Sequence, residues 1–544
     1  MIRIPIPGLA RRGRGEAGPR DAASSGTPFF RLSLLASASL LIHGYHLGAD
    51  DAAIYVPGIK RAFDPELYGF GSQFFMMHAQ RSLFSMLVGV PARLAHLPID
   101  GVILAFHWMG LLLLLLGAWQ LLSVCFESDE ARWGGVALLA GTLSIPVAGT
   151  ALALADPYVT SRTLSTPLTL FCIAAALSKR WRAALVWLLA TVLIHPQMGA
   201  YCGAFLAGLA LMRVMREGSV AEMPLTAVAL PLMFDLHAAR GAAREALYSR
   251  TFFFLYNWTW YEWVGVIAPL GLAAWACRLR LRATTGEFRL VVRTLVPFGL
   301  VFTVLGVLLS SSVHLENLAR LQPMRAFHLV YVVFFVLLGG LLGEYALKGV
   351  AWRWLALFAP LACGMWFVDR EAYAASPHIE WPGVAQSDPW LSTFYWIRSN
   401  TPKGAVFALG PEYMRSRGED MHGFRAIAER SMLADNVKDS GAVSLFPELA
   451  DEWKAESQAQ SGWKQFGPDE FGRLARRYPV DWVITQRSGS AGLSCPYENV
   501  ELAVCRIAPD TSVSNTVNAA VTAGHPAGQP QPLGGVQEGS SPYD

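Results

Sequence analysis

The residues best placed to do chemistry cluster in one stretch, from His43 to Gln80. It holds an acidic pair, Asp50 and Asp51, a third acidic step in Asp64-Pro65-Glu66, and Lys60 and Arg61 between them. Tyr45, Tyr55, Phe63, Tyr68, Phe70, Phe74 and Phe75 are interleaved with these charges. Carboxylates at the edge of an apolar segment are costly unless they are paired or face water, so the pair is a functional candidate by position alone. A carboxylate there can take a proton from an attacking hydroxyl.

Further ionisable groups sit at the ends of other apolar segments. Asp156 and Arg162 lie in ADPYVTSRT, His195 precedes Pro196, and His314, Glu316, Arg320 and Arg325 lie in SSVHLENLARLQPMRAFH. Guanidiniums hold phosphate oxygens bidentately, so carboxylates beside arginines in one leaflet suit a lipid-linked phosphate. Each group also has a plainer role. Asp50 and Asp51 can open a loop helix at its N-terminus or pair with Lys60 and Arg61. Arg162 can be a structural pair for Asp156. His195 can cap a carbonyl freed by the proline, and Arg320 and Arg325 can anchor a helix end by snorkelling. His43 and His46 are close together but lack helpers at metal-ligand spacing, and no P-loop or dinucleotide fingerprint is present. No inverted repeat or matched pair of broken segments marks a transporter.

The elements that must position these groups are membrane segments. Hydrophobic residues make up 53% of the 544 residues and charged residues only 16%, against roughly a quarter charged in a soluble domain. Mean hydropathy is +0.34. The net charge of +3 comes from scattered basic residues with no binding stripe, so no nucleic-acid partner is expected. Of the cysteines, Cys125, Cys172, Cys202, Cys277 and Cys363 lie in apolar sequence, where a free thiol behaves as a small hydrophobe. Cys495 and Cys505 alone lie in polar sequence and pair as a disulfide if that region lies outside the cytoplasm.

Apolar segments near 30–48, 101–124, 133–154, 163–178, 182–194, 197–213, 222–237, 256–277, 290–310, 326–345 and 351–368 give about 11 spans. The basic N-terminus should stay in the cytoplasm, as should the arginine-rich loop 278–293. Both are satisfied only if 81–98, interrupted by Pro91, lies in the interface instead of crossing it. The halves either side of His195-Pro196 are read as two short segments, a break tolerated where it lines a wet cavity. The chain then divides into a disordered basic cytoplasmic tail (1–28), a transmembrane domain (29–369) with a long first outer loop (49–98), an extracytoplasmic α/β domain (370–510) and a disordered tail (511–544). Within the outer domain a helix around Trp390, Phe394 and Ile397 should stop at Asn400-Thr401-Pro402. AVFAL, YPVDWVITQ and VELAVCRI read as strands and FGRLARRY as a helix. Arg425, Arg430, Asp435 and Lys438 read as a solvated charged face, or as contacts to an acceptor glycan or headgroup.

This mainly α, polytopic arrangement resembles the GT-C-type membrane glycosyltransferases. The resemblance rests on ADD at 49–51 after the first span, a long first outer loop with an interfacial helix, VTSRT at 159–163, and an outer C-terminal domain. WIRSNTPKGAVFALG and GFRAIAERSMLADNVKD also look like an uncharacterised bacterial branch of such proteins. It implies a multi-pass protein of a cell inner membrane that inverts a sugar from a polyprenyl-phosphate donor onto an extracytoplasmic glycan or lipid acceptor. Asp50 or Asp51 would match the base, and Arg162, His195, Arg320 and Arg325 would bind substrate. No cofactor is implied; a metal-coordinating DxD is absent, though a divalent metal is compatible with the residues. Fold analogy does not establish chemistry. The alternative is a non-catalytic membrane scaffold or assembly protein acting through its outer α/β domain.

Overall fold

The computed structural model describes residues 27–217, 239–279, 281 and 283–507. The expected span at 222–237 and most of both expected tails lie outside these residues. The protein is mainly helical with one small sheet near its C-terminus. Among the described residues, five helices are long and apolar enough to cross a membrane: Ile99–Cys125, Pro196–Arg216, Gly286–Ser310, Val313–Leu347 and Ala351–Ala372. Pro28–His43, Phe84–Leu94, Arg162–Leu177 and Trp181–Ile194 are shorter apolar helices. Large apolar side chains such as Trp352, Leu355 and Phe367 stand exposed on the last span, which suits a lipid-facing surface.

The apolar stretch 133–154 is not one crossing. Its helix, Asp129–Ala140, ends at Gly141, and an irregular segment containing Pro146 and Gly149 follows. Two residues there, Ala148 and Ala151, take left-handed backbone angles, and Val147 N–H bonds to the Leu152 carbonyl at 2.7 Å. Proline and glycine break the i to i−4 ladder, so hydropathy alone overstates the helix. The helix over 84–94 has eleven residues, which at about 1.5 Å each is roughly half a bilayer core.

The sheet has strand order β2-β1-β3-β5-β4, with β1 Val406–Leu409, β2 Ser431–Met432, β3 Trp482–Gln486, β4 Ser494–Glu498 and β5 Leu502–Arg506. β1 runs parallel to β2 and β3, and β5 is antiparallel to β3 and β4. Cys495 on β4 and Cys505 on β5 are disulfide-bonded. Helix Pro389–Asn400 ends where Asn400-Thr401-Pro402 predicts, because Pro402 cannot continue it. Arg430 then caps its last turn, donating to the carbonyls of Arg398 at 2.7 Å and Thr401 at 2.6 Å. Phe394, Phe407, Phe424 and Ile484 belong to the same buried apolar cluster as Leu32, Val56 and Leu115. The sheet region and the membrane helices therefore share one core.

That shared core puts the first loop directly against the sheet region. Tyr45 forms a bridge with Ile379, and Ala49 one with His422. Gly423 N–H bonds to the Gly48 carbonyl at 2.9 Å, and a Cβ on Gly423 would lie 2.4 Å from that of Ala53, so only glycine allows this approach. The contact is also ionic. Lys60, fully buried on helix Ala52–Phe63, lies 2.8 Å from Asp100 and 2.9 Å from Glu429, and Arg398 completes the square at 2.5 and 2.9 Å.

Candidate functional site

Asp50 and Asp51 end the turn that enters helix Ala52–Phe63. Asp50 has a left-handed φ of 47°, and its N–H is held by the Met421 carbonyl at 2.9 Å. Aspartate tolerates that region better than most residues, and such strain persists only where surroundings enforce it. Asp51 occupies the N-cap position, yet its side chain makes no capping bond. Its carboxylate is drawn to cations instead. Oδ2 lies 3.0 Å from Arg162 Nη2 and Oδ1 lies 3.4 Å from Lys438 Nζ. Lys438 also pairs directly with Asp50, whose other oxygen accepts from the Tyr158 hydroxyl at 3.1 Å.

Arg162, at the start of helix Arg162–Leu177, spans two carboxylates. Its Nη2 reaches Asp156 at 2.8 Å as well as Asp51, and Nε donates to Asp156 at 3.0 Å. Of the roles weighed from the sequence, the pairing with Asp156 forms, and the same guanidinium also pairs with Asp51 of the first loop. The alternative pairing of Asp50 and Asp51 with Lys60 and Arg61 does not form. Lys60 joins the Asp100–Glu429 cluster, and Arg61 donates to the carbonyls of Leu67 and Tyr68.

Lys438 reaches the site because the loop before helix Asp439–Leu445 is tightly tied. Asp435 accepts from the N–H groups of Val437 at 2.7 Å and Lys438 at 2.6 Å, and Asp439 accepts both contacts of Arg425 Nη1 at 2.8 and 3.0 Å. Arg425, Arg430, Asp435 and Lys438 are all buried. The solvated face expected for them is corrected: they pack the interior between sheet region and first loop.

These groups wall a cavity of about 70 Å³ lined by Asp51, Tyr55, His78, Arg162, Arg250, Gln322, Arg325, Lys438 and Ser444, with Ile54, Phe252, Phe253 and Leu445 as its apolar part. Arg325 is placed by the turn at Gln322, itself left-handed and pinned by the Tyr201 hydroxyl, which donates to its carbonyl at 2.8 Å. Arg325 Nε is buried without a hydrogen-bond partner, and its guanidinium carbon stands 5.9 Å from the Phe252 ring centre. Arg250, opposite, donates to the Val437 carbonyl and to Ser440 at 2.7 Å. Four cationic side chains line the cavity beside one carboxylate, and two of them, Arg162 and Lys438, are also paired with Asp156 and Asp50.

The local field follows from that count. Burial opposes ionisation of Asp51, but Lys438 and then Arg162 outweigh it and hold its carboxyl well below the usual range. Burial likewise opposes the charge on Lys438, and Asp50 and Asp51 more than restore it, raising its ammonium. Asp156 goes the other way: burial raises it despite Arg162. Burial pushes His78 down to about 4, so the cavity wall presents a neutral imidazole there at pH 7.

Of the residues singled out by sequence, Asp51, Arg162, Arg325 and Lys438 meet at this cavity, and Asp50 stands beside it. His195 ends helix Trp181–Ile194 and does not line it; its Nε2 is buried without a hydrogen bond. Arg320 does not line it either and donates to Asn317 at 2.6 Å. Arg250, His78 and Tyr158 were not anticipated, and Tyr55 was named only among the aromatic residues of the first loop. A tyrosine three residues before the SRT step was the one available signal.

No protein-family model matches the chain, and no curated protein matches it. Among solved structures, the chain is similar to ArnT from Cupriavidus metallidurans in the apo state, at 12% identity and a TM-score of 0.33, over 88% of this chain and 97% of that one. A likeness of that depth leaves the function to be argued from the site.

Proposed function

We propose that the cavity is the active site of a membrane glycosyltransferase of GT-C type that takes a sugar from a polyprenyl-phosphate donor. The observation that carries this reading is the excess of cations around Asp51, above all Arg325, whose Nε is buried without a partner beside the cavity. Such an arrangement favours an anion, and guanidiniums suit phosphate oxygens. Ile54, Phe252 and Phe253 supply an apolar wall for the first prenyl units.

In this reading Arg162, Arg325 and Lys438 hold the donor phosphate. Asp51 takes the proton of the acceptor hydroxyl while its oxygen bonds to the anomeric carbon and the bond from that carbon to the phosphate oxygen breaks. The configuration inverts, and polyprenyl phosphate leaves on the cations. Without donor, Asp51 is too acidic for a good base, since a general base works best with a pKa near the operating pH. A bound phosphate partly neutralises Lys438 and Arg162 and so raises Asp51 towards useful basicity. Asp50, outside the cavity lining, positions Lys438. His195 and Arg320 support the surrounding turns, and the first loop and sheet region face the extracytoplasmic side of an inner membrane, where the acceptor glycan or lipid lies.

The test is turnover of a polyprenyl-phosphate sugar by the full chain in vesicles, read as release of polyprenyl phosphate. Asp51→Asn should lower turnover by about 10²–10⁴-fold with donor binding retained, and Arg325→Ala should weaken donor binding. Wild-type turnover by Asp51→Asn would refute the assignment. Absence of turnover in every form, with function lost only when 371–510 is deleted, would favour the scaffold reading.

A further inference from the structure

A second cluster lies outside the cavity and has no part in the chemistry above. His46 follows the first apolar helix, Glu380 precedes helix Pro389–Asn400, and His422 sits just before the short helix Phe424–Ala428. All three side chains are buried, at 0%, 2% and 1% exposure. One oxygen, Glu380 Oε1, lies 2.9 Å from His46 Nδ1 and 2.7 Å from His422 Nε2. The three donor atoms fall within 4.8 Å of one another.

We propose that His46, Glu380 and His422 form a structural site for a divalent zinc-class cation that staples the start of the first loop to the sheet region. Two imidazoles and a carboxylate are a ligand set zinc accepts, with the fourth tetrahedral position left to a water. Around a tetrahedral ion with bonds of about 2.0–2.2 Å, neighbouring ligand atoms stand roughly 3.3–3.5 Å apart, so the carboxylate must withdraw by about half an ångström or more from each imidazole, and the two imidazole nitrogens must come to the same spacing.

The surroundings supply what metal-bound histidines need from their outer partners. His46 Nε2 faces Asp369 at 3.7 Å and His422 Nδ1 faces Glu419 at 3.5 Å, and both nitrogens are buried without a hydrogen bond. Carboxylates behind ligand imidazoles fix the tautomer and raise ligand basicity. Glu380 is oriented by its second oxygen, which accepts from Leu47 N–H at 3.0 Å. The backbones are already fixed, since Glu380 N–H bonds to the Tyr45 carbonyl at 2.9 Å.

Charge points the same way. Asp369, Glu380 and Glu419 are buried together, and their ion-pair partners among the described residues are the imidazoles of His46, His378 and His422, with no lysine or arginine. Buried carboxylates need compensation, which here means extra protons on imidazoles or a cation. A divalent ion provides it at one point. The site lies four residues before Asp50, so it would fix the base of the turn that presents the acid pair. Because it is enclosed, the ion enters during folding.

The test is metal content of the full chain expressed in zinc-supplemented medium, purified in detergent without chelator and desalted. One equivalent per chain is expected, and Glu380→Gln should lose more affinity than the ~10–100-fold that removal of a mere outer partner costs. Because the variant itself can misfold, the wild-type chain is expressed in parallel with cobalt in place of zinc in the medium, and a tetrahedral Co²⁺ absorption band is expected. Wild-type protein that retains neither zinc nor a cobalt band would overturn the proposal in favour of a purely protonic acid–imidazole chain. Full zinc retention by folded Glu380→Gln would place the metal elsewhere and overturn it equally.

Discussion

Replacing Lys438 with methionine tests the central geometric feature, a lysine from the sheet region closing on the acid pair of the first loop. Lys438 Nζ stands 3.4 Å from Asp51, which is 25% exposed, and touches Asp50, which is 42% exposed. At 3.4 Å a unit charge pair is worth about 5 kcal/mol at an effective dielectric near 20 and about 1 kcal/mol in water. Exposure of both acids favours the lower end, and the buried ammonium surrenders hydration, so a net loss of about 1–2 kcal/mol is expected. Methionine keeps the length of the stem, so packing changes little. The loss should appear as opening of the segment 435–446, read by amide hydrogen exchange of the full chain in detergent, with protection falling about 5–30-fold. Asp51→Asn completes a double-mutant cycle, and its coupling to Lys438→Met should reach about 1 kcal/mol. Unchanged protection in Lys438→Met, or additivity within about 0.3–0.5 kcal/mol, would show that the contact does not hold the two regions together.

Two further perturbations address one contact between the first loop and the sheet region and one inside the sheet region. Lys60→Met strips Asp100 and Glu429 of a fully buried partner and leaves them to Arg398 alone, a change of the kind that costs about 3–5 kcal/mol; thermal unfolding in detergent should drop clearly, with partial recovery in Lys60→Met/Glu429→Leu, and a wild-type midpoint for the single variant contradicts the account. Glu456, whose Oε2 accepts from Ala434 N–H at 2.7 Å, is pushed by burial from an ordinary 4.5 up to about 7. The folded state therefore binds the proton more tightly, so this group's contribution to stability is complete below pH 4.5 and is lost as pH rises through 7, by about 3 kcal/mol in all. Hydrogen exchange over 450–459, corrected for intrinsic rates, should speed up across that window and become flat in Glu456→Gln; equal slopes in both proteins would rule the effect out.

What could be read from the sequence was what local forces decide. Helix Pro389–Asn400 follows from an apolar spacing and a proline stop a few residues apart, and the strands at 406–409, 482–486 and 502–506 follow from short apolar runs. The error at 133–154 was also local, since Gly141 and Pro146 are breakers that hydropathy outvoted. The site is different in kind. Asp51 and Arg162 could be suspected singly because charge at an apolar edge is costly, but Lys438 meets Asp51 across 387 positions and His46 meets Glu380 across 334. No periodicity reports a pairing that distant. One hint was nonetheless present. In GFRAIAERSMLADNVKD the charges alternate with Phe424, Ile427, Met432, Leu433 and Val437, too apolar a company for a face washed by solvent. Charged residues set among that many buried neighbours must find partners on whatever surface buries them, and the first loop, with its unmatched acids and histidine, is the surface that supplies them.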